Sequence, residues 1–140
     1  MLTGGCYCGH VRYEAEGEAF HETLCHCADC RRVAGAPAVA WFSVATAGLR
    51  FVAGTPRRFP SSPGVTRSFC PDCGTSLTYQ SDATPAETDI TTASLDQPEA
   101  MPPRDHTHAG SRLPWLRLGD GLPRYATTRE GGPMAQETPG

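Results

Sequence analysis

Thr66-Arg67-Ser68-Phe69-Cys70-Pro71-Asp72-Cys73-Gly74-Thr75-Ser76-Leu77-Thr78-Tyr79-Gln80 reads as strand, tight turn, strand. A tight turn brings the two sulfurs of a C-x-x-C together, and Pro71 and Gly74 are the turn residues such a knuckle needs. Two more cysteine clusters precede it: Cys6-Tyr7-Cys8, and Cys25-His26-Cys27-Ala28-Asp29-Cys30. In extended backbone, residues i and i+2 share a face, so a C-x-C presents both sulfurs to one side. A chain of short strands punctuated by such clusters predicts a small all-β fold of short antiparallel strands, held together by zinc.

The chain has 7 cysteines. Zinc takes four ligands in a closed structural site, and three protein ligands plus an open position in a catalytic one. Seven divides accordingly. Cys25, Cys27 and Cys30 are close enough for one loop to place all three on a single ion. Cys6, Cys8, Cys70 and Cys73 are then two distant pairs that close a tetrahedral site. Placing Cys70 and Cys73 with the middle cluster is less economical, because it strands a thiol and leaves the first pair without partners. A disulfide framework would leave an odd thiol over, and cysteines two apart rarely meet disulfide geometry. A redox C-x-x-C usually sits in a βαβ context, unlike the strand-turn-strand here.

With 140 residues and a net charge of −3, the chain is read as one small domain. Its pI of about 5.9 and lack of a basic stripe argue against a nucleic-acid partner. No apolar run approaches the roughly 20 residues of a membrane span, and the first residues lack the charged and apolar regions of an export signal. The cytoplasm is therefore the expected compartment. All 12 basic residues are arginine, and asparagine is absent too, as a GC-rich genome would produce.

Strands are expected over Val11 to Glu16, Ala38 to Ala45, Leu49 to Ala53, around Phe59, and over Thr66 to Phe69, Ser76 to Gln80 and Thr88 to Leu95. At most a turn of helix follows Cys30, or lies near Gln97 to Ala100. Residues 127–140 are polar, with glycine and proline and almost nothing to bury, and read as a disordered tail after a domain spanning 1–126.

A four-thiolate site is closed and structural. A three-thiolate site leaves a position where a substrate thiol would bind and lose its proton, and the resulting chemistry is nucleophilic. The alternative is that another side chain fills that position and the site is inert. In extended backbone, His26 points away from Cys25 and Cys27, so it is not read as a ligand. Asp29 lies within the Cys27–Cys30 turn and is read as an outside ligand or as a cap. His106 and His108 share a face if Asp105 to His108 is extended. They would then be an acid–base pair, a fourth ligand, or surface residues, with surface the default.

These motifs resemble the glutathione-dependent formaldehyde-activating enzyme family, shared with centromere protein V. The resemblance rests on Gly5-Cys6-Tyr7-Cys8-Gly9 with Val11-Arg12-Tyr13, on Cys25 to Arg32 with Gly35, and on Phe69 to Thr75 with Leu77. His106 to Tyr125, with Trp115 and Leu122-Pro123, is similar to the family's C-terminal pattern. The resemblance implies an all-β, tent-like fold with two zinc ions. Cys6, Cys8, Cys70 and Cys73 would hold the structural ion, and Cys25, Cys27 and Cys30 the catalytic one. The implied reaction is addition of glutathione's thiol to formaldehyde, giving S-(hydroxymethyl)glutathione, by a carbon–sulfur lyase. Glutathione carries two carboxylates. Arg31 and Arg32, directly after Cys30, are the expected anchors, with Arg104 and Arg112 as further candidates. A non-catalytic zinc-stabilised binding module and a small-thiol sensor are the alternatives to an enzyme.

Overall fold

The computed structural model describes residues 1–135. Two sheets carry the fold. The smaller is antiparallel, in the order β1 (Leu2–Gly5), β2 (Arg12–Ala15), β5 (Leu49–Ala53). The larger has seven strands: β10 (Asp105–Thr107), β3 (Phe20–Cys25), β4 (Val39–Ala45), β9 (Glu87–Thr91), β8 (Ser76–Ser81), β7 (Val65–Phe69) and β6 (Arg57–Ser62), in that spatial order. Every pairing in it is antiparallel except β10 on β3. The expected all-β class is what forms.

The two-residue period of the strands sorts the larger sheet into two faces. Phe42 pairs with Ile90 and Ile90 with Thr78, while next to them Ser43 pairs with Asp89, Asp89 with Tyr79 and Tyr79 with Arg67. The first row belongs to the core. Phe42, Val44, Leu77 and Ile90 pack with Val11, Tyr13 and Ala15 of the smaller sheet in one buried cluster that also takes in Cys6 and Cys70. Full burial of a side chain such as Phe42 or Ile90 stabilises by about 1.5–3 kcal/mol. The second row, polar and aromatic, lines a cleft on the opposite face. Gly4 is required where β1 crosses Tyr13, because a Cβ there would collide with the phenol and with the Ser94 carbonyl.

Several elements differ from the sequence expectation. β1 and β3 form outside the expected strands, and β10 covers Asp105 to Thr107 of the stretch read conditionally as extended, stopping short of His108. Thr88 to Leu95 is a strand only as far as Thr91, then a single 3-10 turn. A seven-residue helix, α1 (Ala28–Ala34), begins before Cys30 rather than after it. Its N-cap is Cys27, whose sulfur accepts from the Cys30 N–H at 3.3 Å. Its end is a left-handed Gly35, φ 63°.

Residues 127–135, the first part of the expected tail, carry defined contacts. Arg129 grips Asp105 of β10 through two hydrogen bonds, of 2.5 and 3.1 Å, and Tyr125 bridges to Pro133. One bidentate guanidinium–carboxylate contact supplies the anchorage that hydrophobic content did not predict. Residues 136–140 of the expected tail lie outside the described residues. Among the described residues, no helix is long and apolar enough to cross a membrane.

Candidate metal centres

Cys6 and Cys8 sit in the turn after β1, and Cys70 and Cys73 in the turn between β7 and β8. The two turns are built alike. In each, the first cysteine's N–H bonds to a carbonyl five residues on, Val11 or Thr75, at 3.0 Å. In each, a glycine at φ 80°, Gly9 or Gly74, donates back to that cysteine's carbonyl. A side chain at this φ is disfavoured, so glycine is what permits the turn. Backbone N–H groups then point at sulfur: Val11 to Cys6 at 3.2 Å and Cys73 to Cys70 at 3.5 Å. The Thr75 hydroxyl, 3.2 Å from the Cys73 sulfur, ties the knuckles together by also accepting from the Tyr7 N–H. That hydroxyl, with the Thr75 backbone, holds the Cys73 thiol down at about 5.

All four sulfurs lie within 4.8 Å of one another. Cys6 and Cys8 are 3.6 Å apart, and Cys8 and Cys70 3.8 Å. A tetrahedron with metal–sulfur bonds of about 2.3 Å has sulfur–sulfur edges of about 3.8 Å, whereas a disulfide is about 2.05 Å. All seven thiols are free. The disulfide alternative fails on distance, and the donor set fits a metal ion.

The second cluster is Cys25 at the end of β3, Cys27 at the cap of α1, and Cys30 in its first turn. These three sulfurs also lie within 4.8 Å of one another, with Cys25 and Cys27 3.5 Å apart. Among the described residues, no histidine, aspartate or glutamate completes the group as a fourth donor. Hydrogen bonds from Cys25 and Cys30 hold the Cys27 thiol well below its ordinary value, while hydrogen bonds with Cys27 and Cys30 push Cys25 upward.

His26 is not in the ligand group, as expected, but it is fully buried and pinned. Its N–H donates to the Thr107 carbonyl at 3.1 Å, and its own carbonyl accepts from Arg31 Nε at 3.3 Å. Its Nε2 lies 2.9 Å from His106 Nδ1, and His106 Nε2 is 2.8 Å from Asp120 Oδ2. With Asp120 ionised, His106 donates to it from Nε2 and accepts from His26 Nε2 on Nδ1. Burial opposes ionisation of Asp120, but the Leu122 N–H and His106 hold its carboxyl below the usual range. Burial, then the nearby His106, lowers His26 to about 4, so it stays neutral at ordinary pH.

This corrects the surface reading of His106, which is 1 % exposed. His106 and His108 do not share a face either, because the backbone leaves β10 at His108 in a left-handed turn, φ 51°. His108 instead lines the cleft that opens onto Cys25, Cys27 and Cys30, as does Asp29. Asp29 is not the cap, since the Cys27 sulfur fills that role.

The cleft measures about 540 Å³, within the usual range for ligand sites. Its walls include Trp41, Tyr79, Asp89 and Arg67. Arg31 and Arg32 are not among them. They lie with Leu113 and the exposed Trp115 around a separate shallow groove. Arg31 is committed to the carbonyls of His26 and Ser111. Arg104 extends into solvent beside Glu22, and Arg112 packs against the turn that follows His108. The guanidinium beside the cluster is Arg67, with Nη2 4.0 Å from the Cys30 sulfur. Sequence reasoning missed it, because nothing in an isolated Arg67 distinguishes it from the other arginines.

A solved crystal structure of a Rhodobacter sphaeroides protein is similar in fold, with a TM-score of 0.55 at 22 % identity. The alignment covers 88 % of this chain and 98 % of that one. No curated protein gives a match. The sequence profile of the glutathione-dependent formaldehyde-activating enzymes matches residues 1–111, a span that holds both cysteine clusters, Arg67 and His106. The chain belongs to the glutathione-dependent formaldehyde-activating enzyme family.

Proposed function

We propose that the chain is a zinc enzyme of the carbon–sulfur lyase class, adding the thiol of glutathione or a related small thiol to formaldehyde or a similar small electrophile. The sulfur lone pair forms the new C–S bond to the carbonyl carbon. The carbonyl π pair moves to oxygen, and the thiol's proton ends there. No oxidant or reductant is consumed. The observation that carries the reading is a cluster of three sulfurs, without a fourth donor among the described residues, at the wall of a ligand-sized cleft. A closed binding module would need that fourth donor.

In this reading Cys6, Cys8, Cys70 and Cys73 hold a structural ion, and Cys25, Cys27 and Cys30 hold a second one. Thiolate donors suit zinc among the common divalent ions. Bound at three thiolates, zinc supplies an open position at which an incoming thiol readily gives up its proton. The chain itself orients and shields. The Cys27 cap and the three-point hold on His26 fix the sulfurs, and Trp41 and Tyr79 form an aromatic wall 6.3 Å apart between centroids. Trp41 Nε1 is buried without a partner among the described residues, which leaves a donor for a bound ligand. Seven unpaired thiols suit a reducing compartment, and we place the protein in the cytoplasm.

Native mass spectrometry tests the metal half of the reading. Purified protein is expected to carry close to two zinc ions per chain, one of them leaving first under mild chelation. One tightly held ion, or none, would defeat the partition. The catalytic half is tested by the rate of glutathione addition to formaldehyde against the uncatalysed blank. An unchanged rate with glutathione and with smaller thiols would favour a non-catalytic module.

A further inference from the structure

Arg67 projects from β7 onto the cleft face and is 6 % exposed. Burying a guanidinium is costly unless its charge and its donors are matched. The cluster sulfurs face the charge of Arg67, but its donors go largely unmatched. Its Nη2 reaches only the Cys30 sulfur at 4.0 Å, and its Cζ stands over the Tyr79 ring, 5.0 Å from the centroid. Nε and Nη1 are both buried without a hydrogen-bond partner among the described residues. The carboxylates lining the same cleft do not supply one. Asp89 accepts from Ser43 at 2.6 Å, and burial pushes its carboxyl pKa up, against ionisation. The cation of Arg129, also at the cleft, is taken by Asp105.

We infer that Arg67 is the anion receptor of this cleft, and that the ligand meeting the three-cysteine cluster carries a carboxylate close to its reacting group. A guanidinium presents paired donors that match a carboxylate's two oxygens, and a low-polarity wall strengthens that contact. Because Arg67 stands 4.0 Å from one of the cluster sulfurs, one ligand can reach both only if its carboxylate lies near the group at the cluster, about one or two carbons away. Compact mercapto acids and short oxo acids have that shape. Glutathione's carboxylates sit much farther from its sulfur. The inference rests on reading the three-cysteine cluster as the open centre, and it narrows the substrate class that centre takes.

The test uses the zinc-loaded protein and three probes: mercaptoacetate, 2-mercaptoethanol and acetate. Calorimetry is expected to give mercaptoacetate roughly a tenfold advantage over 2-mercaptoethanol, the scale of one charge-assisted bidentate contact. Arg67→Met should erase that advantage while leaving 2-mercaptoethanol within about twofold. Arg67→Lys, which keeps the charge without the fork, should restore part of it. If Arg67 only offsets the negative sulfurs, Arg67→Met will change both thiols alike, and the inference is overturned. It is overturned too if mercaptoacetate shows no advantage in the native protein while 2-mercaptoethanol binds. Should neither thiol bind, the proposed thiol chemistry fails and acetate decides. Acetate binding that disappears in Arg67→Met sustains the receptor, and binding that is absent or unaltered refutes it.

Discussion

Cys70→Ser is expected to unfold the protein at ordinary temperature, whereas Cys27→Ser leaves it folded with one zinc ion fewer. The two sulfurs differ in what they join. Cys70 is fully buried, and it belongs both to the hydrophobic cluster between the sheets and to the four-sulfur group. That group links the turn after β1 to the turn between β7 and β8, so it clamps the small sheet onto the large one. A structural zinc site contributes on the order of 10–16 kcal/mol of apparent binding free energy, against a typical net stability of about 5–15 kcal/mol for a domain. Losing even half of that contribution, about 5–8 kcal/mol, is comparable to the whole net stability of a marginal domain of this size. Cys27 is only half-buried and serves a cluster confined to residues 25–30. Its serine replacement can still cap α1, since serine is a preferred N-cap residue. The strand before it stays paired on both sides, with β4 and with β10. Thermal melts and native mass spectrometry of the two variants decide the matter. Equal loss of stability in both would remove the distinction between a structural and an accessible centre.

The metal groups were legible because their chemistry is local. The pair Cys70/Cys73 announces its turn through spacing, with Gly74 where φ must be positive, whereas the extended backbone expected at Cys6/Cys8 is instead a turn closed by Gly9; the four-and-three division follows from counting donors. β5, Leu49–Ala53, forms over the residues expected of it. β3 was unreadable for a specific reason. His21 adopts φ 54°, and the register with β4 shifts between Phe20 and Thr23, so apolar alternation is broken within Phe20–Cys25. β10 is three residues long, too short for any periodicity, and it is extended because β3 offers it a free edge. Arg67 and His106 depended on long-range pairing. One is buried by its place opposite Tyr79 in the sheet. The other meets a histidine 80 positions away in the chain. Arg31 and Arg32 follow Cys30 in the chain, yet helix α1 carries them to a separate groove, and a neighbour in sequence is not a neighbour in the cleft.

His106→Ala is expected to lower stability by about 3 kcal/mol and to weaken zinc at the three-cysteine cluster, although His106 is no ligand. Truncating a side chain that is 1 % exposed leaves a cavity, and it strands the buried Nε2–H of His26, which alone costs about 1–3 kcal/mol. At this chain length each kcal/mol moves the melting midpoint by about 4 °C, so a fall of roughly 10 °C is expected. The effect on metal follows from position. His26 stands between Cys25 and Cys27, and its ring is held by His106, itself oriented by Asp120. Releasing the ring lets the two flanking sulfurs spread, and groups that orient ligands from behind typically matter 10–100-fold in metal affinity, about the size expected here. His106→Leu separates the hydrogen bond from the volume, because leucine fills most of the space and accepts nothing. Asp120→Asn should be the mildest of the three, since the Asp120 side chain is 44 % exposed and water can replace it. The expected order of zinc affinity is therefore native, Asp120→Asn, His106→Leu, His106→Ala, measured by competition with a chromogenic chelator. Native affinity in His106→Leu would reduce the histidine pair to core packing and leave Cys25 and Cys27 positioned by the backbone alone.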